Sequence, residues 1–345
     1  MITTRSFGTC DVGNVTAITI SNEKGMSVTV LSLGGILQKI VVPDKNGNPT
    51  DVCLGYETVE EYLRGGCVGA VIGRYANRLS NAEFCIDGVE YKVTANMDIH
   101  QIHGGKENFT KKNWEYEYDS GFSNEFKLRY VSPDGEEGFP GTLTTELIYK
   151  LDEDNGLVLD YVASSDKDTI YNITNHCYFN LSGQGSGTIR DHLIQMNASH
   201  YTPTDKKTNI PTGEIAPVAG TVLDFTTMKR VGDGIDDEML APYGGYDHNF
   251  ACDGEGMRQI AKCVSPLTGI SMTTAATLEG VQVYTTNFVH DHKAKEGKTY
   301  TKYAGICFET QHYPDAANRP EFTSPILRAC DVFHETTRYR FGVEK

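Results

Sequence analysis

Short runs in which apolar and polar residues alternate dominate this chain, and turn-forming residues interrupt them every few positions. The clearest runs are residues 15–20, 27–31, 126–131, 144–151, 157–162 and 281–288. A period of two places successive side chains on opposite faces of a strand, so that one face can pack against a core. The pattern therefore predicts an all-β protein.

The connections between the runs also favour antiparallel strands. Asp87-Gly88 separates the runs 84–86 and 89–93 and is typical of a two-residue β-hairpin turn. Helical periodicity is nearly absent, and only 58–63 and 226–230 are candidates for one or two helical turns. Because strands and helices do not alternate, a nucleotide-binding α/β fold is excluded. We expect one large antiparallel β-sandwich that forms a single domain over residues 1–345.

The charge and hydropathy of the chain limit the kinds of molecule that we expect it to bind. The net charge of −15 repels nucleic-acid phosphates and anionic lipids. No stretch approaches the roughly 18 uninterrupted apolar residues of a membrane-spanning helix. We therefore expect a neutral small molecule as the partner, with neither nucleic acid nor membrane. The sequence does not indicate an oligomeric state.

The nine cysteines are scattered and never spaced as Cys-x-x-Cys. This spacing argues against a zinc site or a disulfide framework, and it favours a reducing compartment. The N-terminal residues lack the pattern of a secretory signal, so we expect the protein in the cytoplasm. His290-Asp-His292 offers two imidazoles but implies no third ligand, and we expect a solvated loop there and no metal.

Polar residues embedded in strand-like surroundings are the candidates for chemistry. They lie in Gly73-Arg-Tyr-Ala-Asn-Arg78, His103-Gly-Gly105, Asn175-His-Cys-Tyr-Phe-Asn-Leu181, Tyr246-Asp-His-Asn-Phe250, Gly280-Val-Gln-Val-Tyr284 and Gly305-Ile-Cys-Phe-Glu-Thr-Gln311. Taken singly, Arg78 has an alternative explanation as a rim salt bridge, and His176 as a hydrogen-bonded core histidine. Glu309 is more informative, because a carboxylate in a buried strand is costly unless it is paired or used. Together these residues predict a pocket that binds a polyhydroxyl compound and transfers protons.

These stretches, in this order along the chain, resemble the galactose mutarotase (aldose 1-epimerase) family. Further matching blocks are Leu33-Gly-Gly35, Asp51-Val-Cys-Leu-Gly55, Ile210-Pro-Thr-Gly-Glu214, Gly220-Thr-Val-Leu-Asp-Phe225, Glu309-Thr-Gln-His-Tyr-Pro-Asp-Ala316 and Ser324-Pro325. A single matching block is weak evidence for the family, whereas the ordered series of blocks covers most of the chain and is strong evidence. The resemblance implies a single large antiparallel β-supersandwich, in agreement with the alternation described above.

The resemblance also implies an activity: interconversion of the α and β anomers of free aldohexoses such as galactose and glucose, without a cofactor. By motif, His176 resembles the general acid of the family and Glu309 its general base. Sugar-binding roles are implied for Asn77, Arg78, His103, Tyr178, Asp247 and Gln282. We expect burial to raise the pKa of Glu309, and the nearby carboxylate to keep a proton on His176.

Three other functions compete with this interpretation. An epimerase for hexose 6-phosphates would require basic residues around the pocket. A non-catalytic sugar-binding domain would tolerate loss of the acid or the base, and a glycoside hydrolase would need two catalytic carboxylates. Ala82 and residues 106–109 depart from the family pattern in loops, so the preferred aldose remains open.

Overall fold

Antiparallel β-structure makes up nearly all of the regular structure in a computed structural model of the chain. The structure describes residues 1–64, 66–119, 124–289 and 292–344. Residues 290 and 291 lie outside these ranges, so the loop expected at His290-Asp-His292 falls largely outside the described residues. Within the described ranges the chain forms one α-helix, α1 (Val59–Arg64), and 29 strands.

The first fourteen strands in chain order are β1 (Ile2–Cys10), β2 (Gly13–Ser21), β3 (Ser27–Leu31), β4 (Ile36–Pro43), β5 (Pro49–Asp51), β6 (Val71–Ile72), β7 (Arg78–Leu79), β8 (Glu83–Ile86), β9 (Val89–Lys92), β10 (Gln101–Ile102), β11 (Glu115–Glu117), β12 (Glu125–Ser132), β13 (Leu143–Leu151) and β14 (Gly156–Ser165). The others are β15 (Thr169–Ile170), β16 (Thr174–Asn175), β17 (Leu193–Met196), β18 (His200–Tyr201), β19 (Ala216–Pro217), β20 (Lys229–Arg230), β21 (Asp247–Ala251), β22 (Arg258–Val264), β23 (Ile270–Ala276), β24 (Gly280–Tyr284), β25 (His292–Lys293), β26 (Thr299–Tyr300), β27 (Cys307–Gln311), β28 (Ile326–Leu327) and β29 (Phe333–Val343).

Three large sheets hold 19 of these strands, and the other ten form five two-stranded sheets. The largest has nine strands in the order β11-β12-β13-β14-β29-β23-β22-β17-β20. One five-stranded sheet has the order β1-β2-β3-β4-β5, and the other has the order β19-β18-β21-β24-β27. The strand pairs within them are antiparallel. The late strand β29 lies in the middle of the largest sheet, where it joins β14 to β23.

The hydrophobic core lies between the nine-stranded sheet and the β18–β27 sheet. Buried and partly exposed residues alternate without interruption along β13, as the sequence pattern predicts. Leu147 and Tyr161 of the large sheet belong to the same buried cluster as Val281 and Phe308 of the smaller one. Two sheets that share one core form a sandwich. The predicted antiparallel β-sandwich is therefore confirmed.

Most local predictions agree with the structure, and two differ from it. Asp87 and Gly88 both have positive φ, 50° and 83°, as a type I′ hairpin turn between β8 and β9 requires. The helical prediction for 226–230 is wrong, because Lys229–Arg230 form β20 and pair with β17. The strand predicted over 281–288 ends at Tyr284, since the chain turns at Thr286, where φ is 55°.

The helices of the described residues do not suit a bilayer. None of them combines the length and the apolar character that crossing a membrane requires.

His192 is a buried histidine whose protonation is expected to destabilise the fold. Its Nε2 accepts the backbone N–H of Leu181 at 2.9 Å, and burial lowers its pKa to about 4. The unfolded chain, with a histidine pKa near 6.5, therefore binds more protons between pH 6.5 and 4. The free energy of unfolding should fall as the pH is lowered through this window, by up to about 3 kcal/mol from this residue.

Urea unfolding measured between pH 7 and 4.5 tests this expectation. His192→Gln should weaken the pH dependence by one proton, while His334→Gln, at an exposed histidine, should leave it unchanged. If the free energy of unfolding changes equally steeply with pH in the wild type and in His192→Gln, the destabilising role assigned to His192 protonation is contradicted.

Candidate active site

The site is built on the polar face of three neighbouring strands. Directly opposed residues form two rows across β21, β24 and β27: Asn249, Gln282 and Glu309 in one row, and Asp247, Tyr284 and Cys307 in the next. Residues that alternate with them, Val281, Val283 and Phe308, are buried in the main core. The strands thus have the period-two pattern of a half-buried sheet, but their second face is polar and almost as buried as the first. Such a face is costly unless its groups are hydrogen-bonded or used.

This polar face opens into a cavity of about 220 Å³. The described residues that line it are Cys67, Asn77, Arg78, Ile102, His103, His176, Tyr178, Asp247, Gln282, Tyr284, Phe288 and Glu309. All eight site residues predicted from the sequence are among them. The volume is below the roughly 300–1,000 Å³ of pockets for drug-sized ligands, and it fits a smaller molecule.

Glu309 and His176 face each other in this cavity. The Glu309 Oε1 atom lies 3.5 Å from His176 Nε2, and both residues are buried. Among the described residues, Glu309 Oε2 has no hydrogen-bond partner. Burial and the charge of Asp247 raise the pKa of Glu309 well above its usual range, and Arg78 opposes this only in part. The carboxyl group therefore has an unusually strong tendency to hold a proton.

His176 is held rigidly but is not protonated by its neighbour, contrary to the expectation from the sequence. The backbone N–H of His176 donates to the carbonyl of Ala70 at 2.8 Å, and its backbone carbonyl accepts the N–H of Gly69 at 2.9 Å. The ring stacks on Tyr178 with centroids 4.9 Å apart. Burial lowers the pKa of His176 to about 4, although a backbone hydrogen bond and Asp247 act in the opposite direction. The expectation that His176 keeps its proton was wrong, because the loss of solvation on burial lowers its pKa more than the attraction of a carboxylate raises it.

Asp247 is the centre of a second network on the opposite side of the cavity. Its Oδ2 accepts from Arg78 Nη2 at 3.1 Å and from Asn209 Nδ2 at 2.8 Å, and its Oδ1 accepts from Gln282 Nε2 at 2.6 Å. Burial acts to raise its pKa, but Arg78 and the hydrogen bonds outweigh burial and lower it. Asp247 is therefore ionised, and Arg78 is committed to it.

Asn77 and His103 meet through a backbone contact that defines the histidine tautomer. The Asn77 backbone N–H donates to His103 Nδ1 at 3.3 Å, so Nδ1 carries a lone pair and Nε2 carries the hydrogen. Burial, His176 and Arg78 lower the pKa of His103 well below its usual value. The Asn77 side chain also accepts from Arg78 Nη1 at 3.2 Å. His103 thus offers a neutral N–H donor, and Asn77 orients the guanidinium.

Four cavity residues were not predicted: Cys67, Ile102, Tyr284 and Phe288. Tyr284 and Phe288 lie in a matched motif, and the alternation with Gln282 indicates that Tyr284 shares its face. Cys67 lies in an irregular segment and Ile102 in the two-residue strand β10, and neither segment is long enough in strand to give a periodic signal. Asn209, which contacts Asp247, has positive φ (55°) next to a matched block, a conformation for which asparagine is favoured.

Two overlapping sets of side chains have donor atoms close enough to hold a metal ion. They are Cys67, His103 and His176, and His176, Cys307 and Glu309, with donor atoms within 4.8 Å of one another. Both sets include His176. A cation bound in either would compete with any other ligand for that imidazole.

The fold is shared by solved structures of sugar epimerases. An aldose epimerase homologue from C. elegans superposes with a TM-score of 0.88 and 27% identity, covering 95% of this chain and 99% of that one. A galactose 1-epimerase from Lactobacillus acidophilus gives the same TM-score and identity and covers 100% and 99% of the two chains. The shared architecture thus defines a sugar isomerase of the galactose mutarotase-like type.

The sequence comparisons define the family. The aldose 1-epimerase family profile matches residues 16–340. The galactose mutarotase of Homo sapiens is 39% identical over 321 residues, which are 92% of each chain. The aldose 1-epimerase of Escherichia coli is 32% identical over 333 residues, which are 95% of each chain. The chain belongs to the aldose 1-epimerase family.

Removing the charge of Asp247 should lower the pKa of Glu309. In Asp247→Asn the repulsion that raises this pKa is lost, and Arg78 is released from its ionic partner, so both effects act in the same direction. A ¹³C NMR titration of protein labelled at the glutamate carboxyl groups measures the shift, with the signal assigned by its absence from Glu309→Gln.

Asp160→Asn, in β14 of the other sheet, is the matched control and should leave the Glu309 titration unchanged. An unchanged or higher Glu309 pKa in Asp247→Asn would show that the two carboxyl groups do not interact.

Proposed function

We propose that this enzyme interconverts the α and β anomers of free aldohexoses such as galactose and glucose. The observation that carries the proposal is the Glu309–His176 pair, 3.5 Å apart in a cavity lined by groups that bind hydroxyls. Ring opening needs a base at the C1 hydroxyl and an acid at the ring oxygen. Both oxygens are bonded to C1, so the base and the acid must be close neighbours. The relatives named galactose mutarotase and aldose 1-epimerase support this assignment.

Glu309 is the proposed base and His176 the proposed acid. The carboxylate takes the proton of the C1 hydroxyl, and the electrons of that O–H bond form the carbonyl. The bond between C1 and the ring oxygen breaks, and that oxygen takes the proton of His176 Nε2. Rotation about the C1–C2 bond then presents the other carbonyl face, and the same steps in reverse close the ring. Each proton transfer typically contributes about 10²–10⁴-fold to the rate.

The remaining predicted residues bind and orient the sugar in this proposal. Asp247 accepts from a sugar hydroxyl, and so does Gln282 Oε1, which has no partner among the described residues. Arg78 Nε also has no hydrogen-bond partner among the described residues. It donates to the sugar oxygens on which charge develops, and His103 Nε2–H does the same. Asn77 orients Arg78, and Tyr178 supports the ring of His176.

The position of the shared proton depends on whether a sugar is bound. Without sugar, burial raises the pKa of Glu309 and lowers that of His176, so the proton resides on Glu309. The catalytic form has the proton on His176 instead. Both forms hold the same number of protons, so pH does not alter their ratio. A sugar hydroxyl that donates to the carboxylate favours the catalytic form.

Charge in the cavity disfavours a sugar phosphate as substrate. Among the described residues that line it, Arg78 is the one guanidinium and there is no lysine, and Arg78 already pairs with Asp247. A phosphate group would therefore meet two carboxylates without a free cation. The presence of both the acid and the base argues against a protein that only binds sugar.

Domain organisation, location and partner class complete the proposal. Residues 1–345 form a single domain, supported by β29, which pairs with both β14 and β23 inside one sheet. The enzyme works in the cytoplasm, supported by nine cysteines that are all free. Its partner is a small aldose, and the charge of −15 argues against nucleic acid or a membrane surface.

Replacing either member of the pair should abolish most turnover. Glu309→Gln removes the base and His176→Asn the acid, so each should lower kcat by at least about 100-fold. Because Asp247, Gln282 and Arg78 remain, the Kd for glucose should change little. Polarimetry of freshly dissolved α-glucose and α-galactose measures turnover, and calorimetry measures binding.

A second histidine–glutamate pair supplies the matched control. His312 Nδ1 lies 2.9 Å from Glu279 outside the cavity, so Glu279→Gln and His312→Asn should retain normal turnover. Near-normal turnover in Glu309→Gln or His176→Asn would refute the corresponding role.

The pH dependence of kcat/KM should show an acid limb near pH 4. Activity requires one proton on the pair, and His176, with a pKa of about 4, takes up a second proton only below that pH. Activity should also fall in the alkaline range above the raised pKa of Glu309, where the pair loses its proton. The value at pH 5.5 should be within about twofold of that at pH 7, whereas an ordinary histidine pKa of about 6.5 would lower it about tenfold.

The measurement is kcat/KM by polarimetry across this range, with circular dichroism at each pH as the control for unfolding. A tenfold loss at pH 5.5 in a folded protein would show that His176 is not desolvated as the structure indicates.

A further inference from the structure

Cys307 shares the cavity-facing side of β27 with Glu309 and contacts His176. Residues two apart on a strand project from the same face, so Cys307 and Glu309 lie side by side. The Cys307 Sγ atom is 3.4 Å from His176 Nδ1, and Cys307 is fully buried. One strand therefore supplies the neighbour of each ring nitrogen: the carboxyl group at Nε2 and the thiol at Nδ1.

The rest of the surroundings of His176 fix its ring plane but do not distinguish its two nitrogens. Tyr178 stacks on one face at 4.9 Å, and His103 and Tyr284 meet the ring edge to face at 5.3 and 6.1 Å. The backbone carbonyl of His176 already accepts the N–H of Gly69. The tautomer of the imidazole therefore depends on the groups at its two nitrogens, Glu309 at Nε2 and Cys307 at Nδ1.

The chemistry of ring opening requires one tautomer throughout. If His176 gives its Nε2 proton to the ring oxygen, the neutral imidazole that remains must keep its hydrogen on Nδ1. The same tautomer has a lone pair on Nε2, which can accept the proton that Glu309 holds when no sugar is bound. Nδ1 therefore carries a hydrogen in both the neutral and the protonated imidazole. Its hydrogen-bond partner must accept this hydrogen without taking the proton from Nδ1.

A thiol meets this requirement better than a carboxylate does. Burial and the nearby Glu309 raise the pKa of Cys307 well above its usual range, so its sulfur is neutral. A neutral sulfur accepts the Nδ1 hydrogen only weakly. A carboxylate in the same place would stabilise the imidazolium and make it a weaker acid. The sulfur thus orients the ring without reducing its acidity.

We propose that Cys307 is a positioning residue, whose sulfur accepts the His176 Nδ1 hydrogen and thereby reserves Nε2 for proton transfer to the sugar. This inference rests on the proposed function of His176. It assigns no substrate contact to Cys307.

The experiment compares Cys307→Ala, which removes the acceptor, with Cys307→Ser, which replaces it by a hydroxyl. Cys263→Ala is the matched control, because Cys263 is also fully buried but lies in β22 of the other sheet. The tautomer of His176 is read from ¹⁵N NMR of histidine-labelled protein without sugar, with the signal assigned by its absence from His176→Asn. Polarimetry supplies kcat and KM.

Cys307→Ala should move the tautomer from Nδ1–H towards Nε2–H and lower kcat about five- to tenfold, with KM within twofold, the scale of one lost hydrogen bond. Cys307→Ser should keep the wild-type tautomer and most of kcat, and Cys263→Ala should change neither. An unchanged tautomer in Cys307→Ala would overturn the inference, even with a lower kcat, since the thiol would then act only by packing. Equal losses in the alanine and serine variants would overturn it too.

Failure of this inference is distinguishable from failure of the proposed function. The NMR measurement needs no turnover, so its result stands whatever the activity of Glu309→Gln. If Glu309→Gln is inactive but the tautomer of Cys307→Ala is unchanged, only the role of Cys307 falls.

Discussion

Without the antiparallel register that aligns β21, β24 and β27, the polar groups of the cavity would not meet. A slip of one residue in any of these strands would turn the side chains of its cavity face towards the core and those of its core face towards the cavity. The register is held by the apolar face, where Val281, Val283 and Phe308 pack in the main core. The stability of the sandwich and the relative positions of Asp247, Gln282 and Glu309 thus have a common origin. Strand β7 contributes Arg78, and loops contribute His103 and His176, to a surface that these strands have already defined.

The distribution of charge in the cavity is as important as its shape. Arg78 pairs with Asp247, and among the described residues Glu309 has no ion pair with an arginine or a lysine. Had the guanidinium bound Glu309 instead, the carboxyl group would be ionised and a weaker base. Burial then drives the pKa of Glu309 upwards and that of His176 downwards, so that without sugar the carboxylate is the stronger base of the two. The two carboxyl groups of the cavity therefore differ in protonation, because Asp247 is ionised whereas Glu309 tends to hold a proton.

Sequence patterns predicted the strands best where the apolar face is continuous, as in β13 and β14. Eight of the twelve residues that line the cavity were expected from the sequence, through motifs that resemble those of the family. Cys67, in an irregular segment, and Ile102, in the two-residue strand β10, were missed because neither segment carries a periodic signal. The protonation of His176 was misjudged because the loss of solvation depends on packing by residues distant in sequence. The contact between Cys307 and His176 depends on how two separate segments pack, which no local pattern shows.

The central place of β29 has a consequence for biosynthesis. Strands β11 to β14 can pair among themselves, and so can β17, β20, β22 and β23, but the sheet that unites the two groups stays open until β29 has left the ribosome. The edges of β14 and β23 are then exposed during translation, when unpaired edges favour association with other chains. Because Tyr339 of β29 donates to the carbonyl of Phe308, beside Glu309, the same strand also completes the support beneath the Glu309 carboxyl group. The protein thus acquires its finished interior only once β29 has joined the sheet.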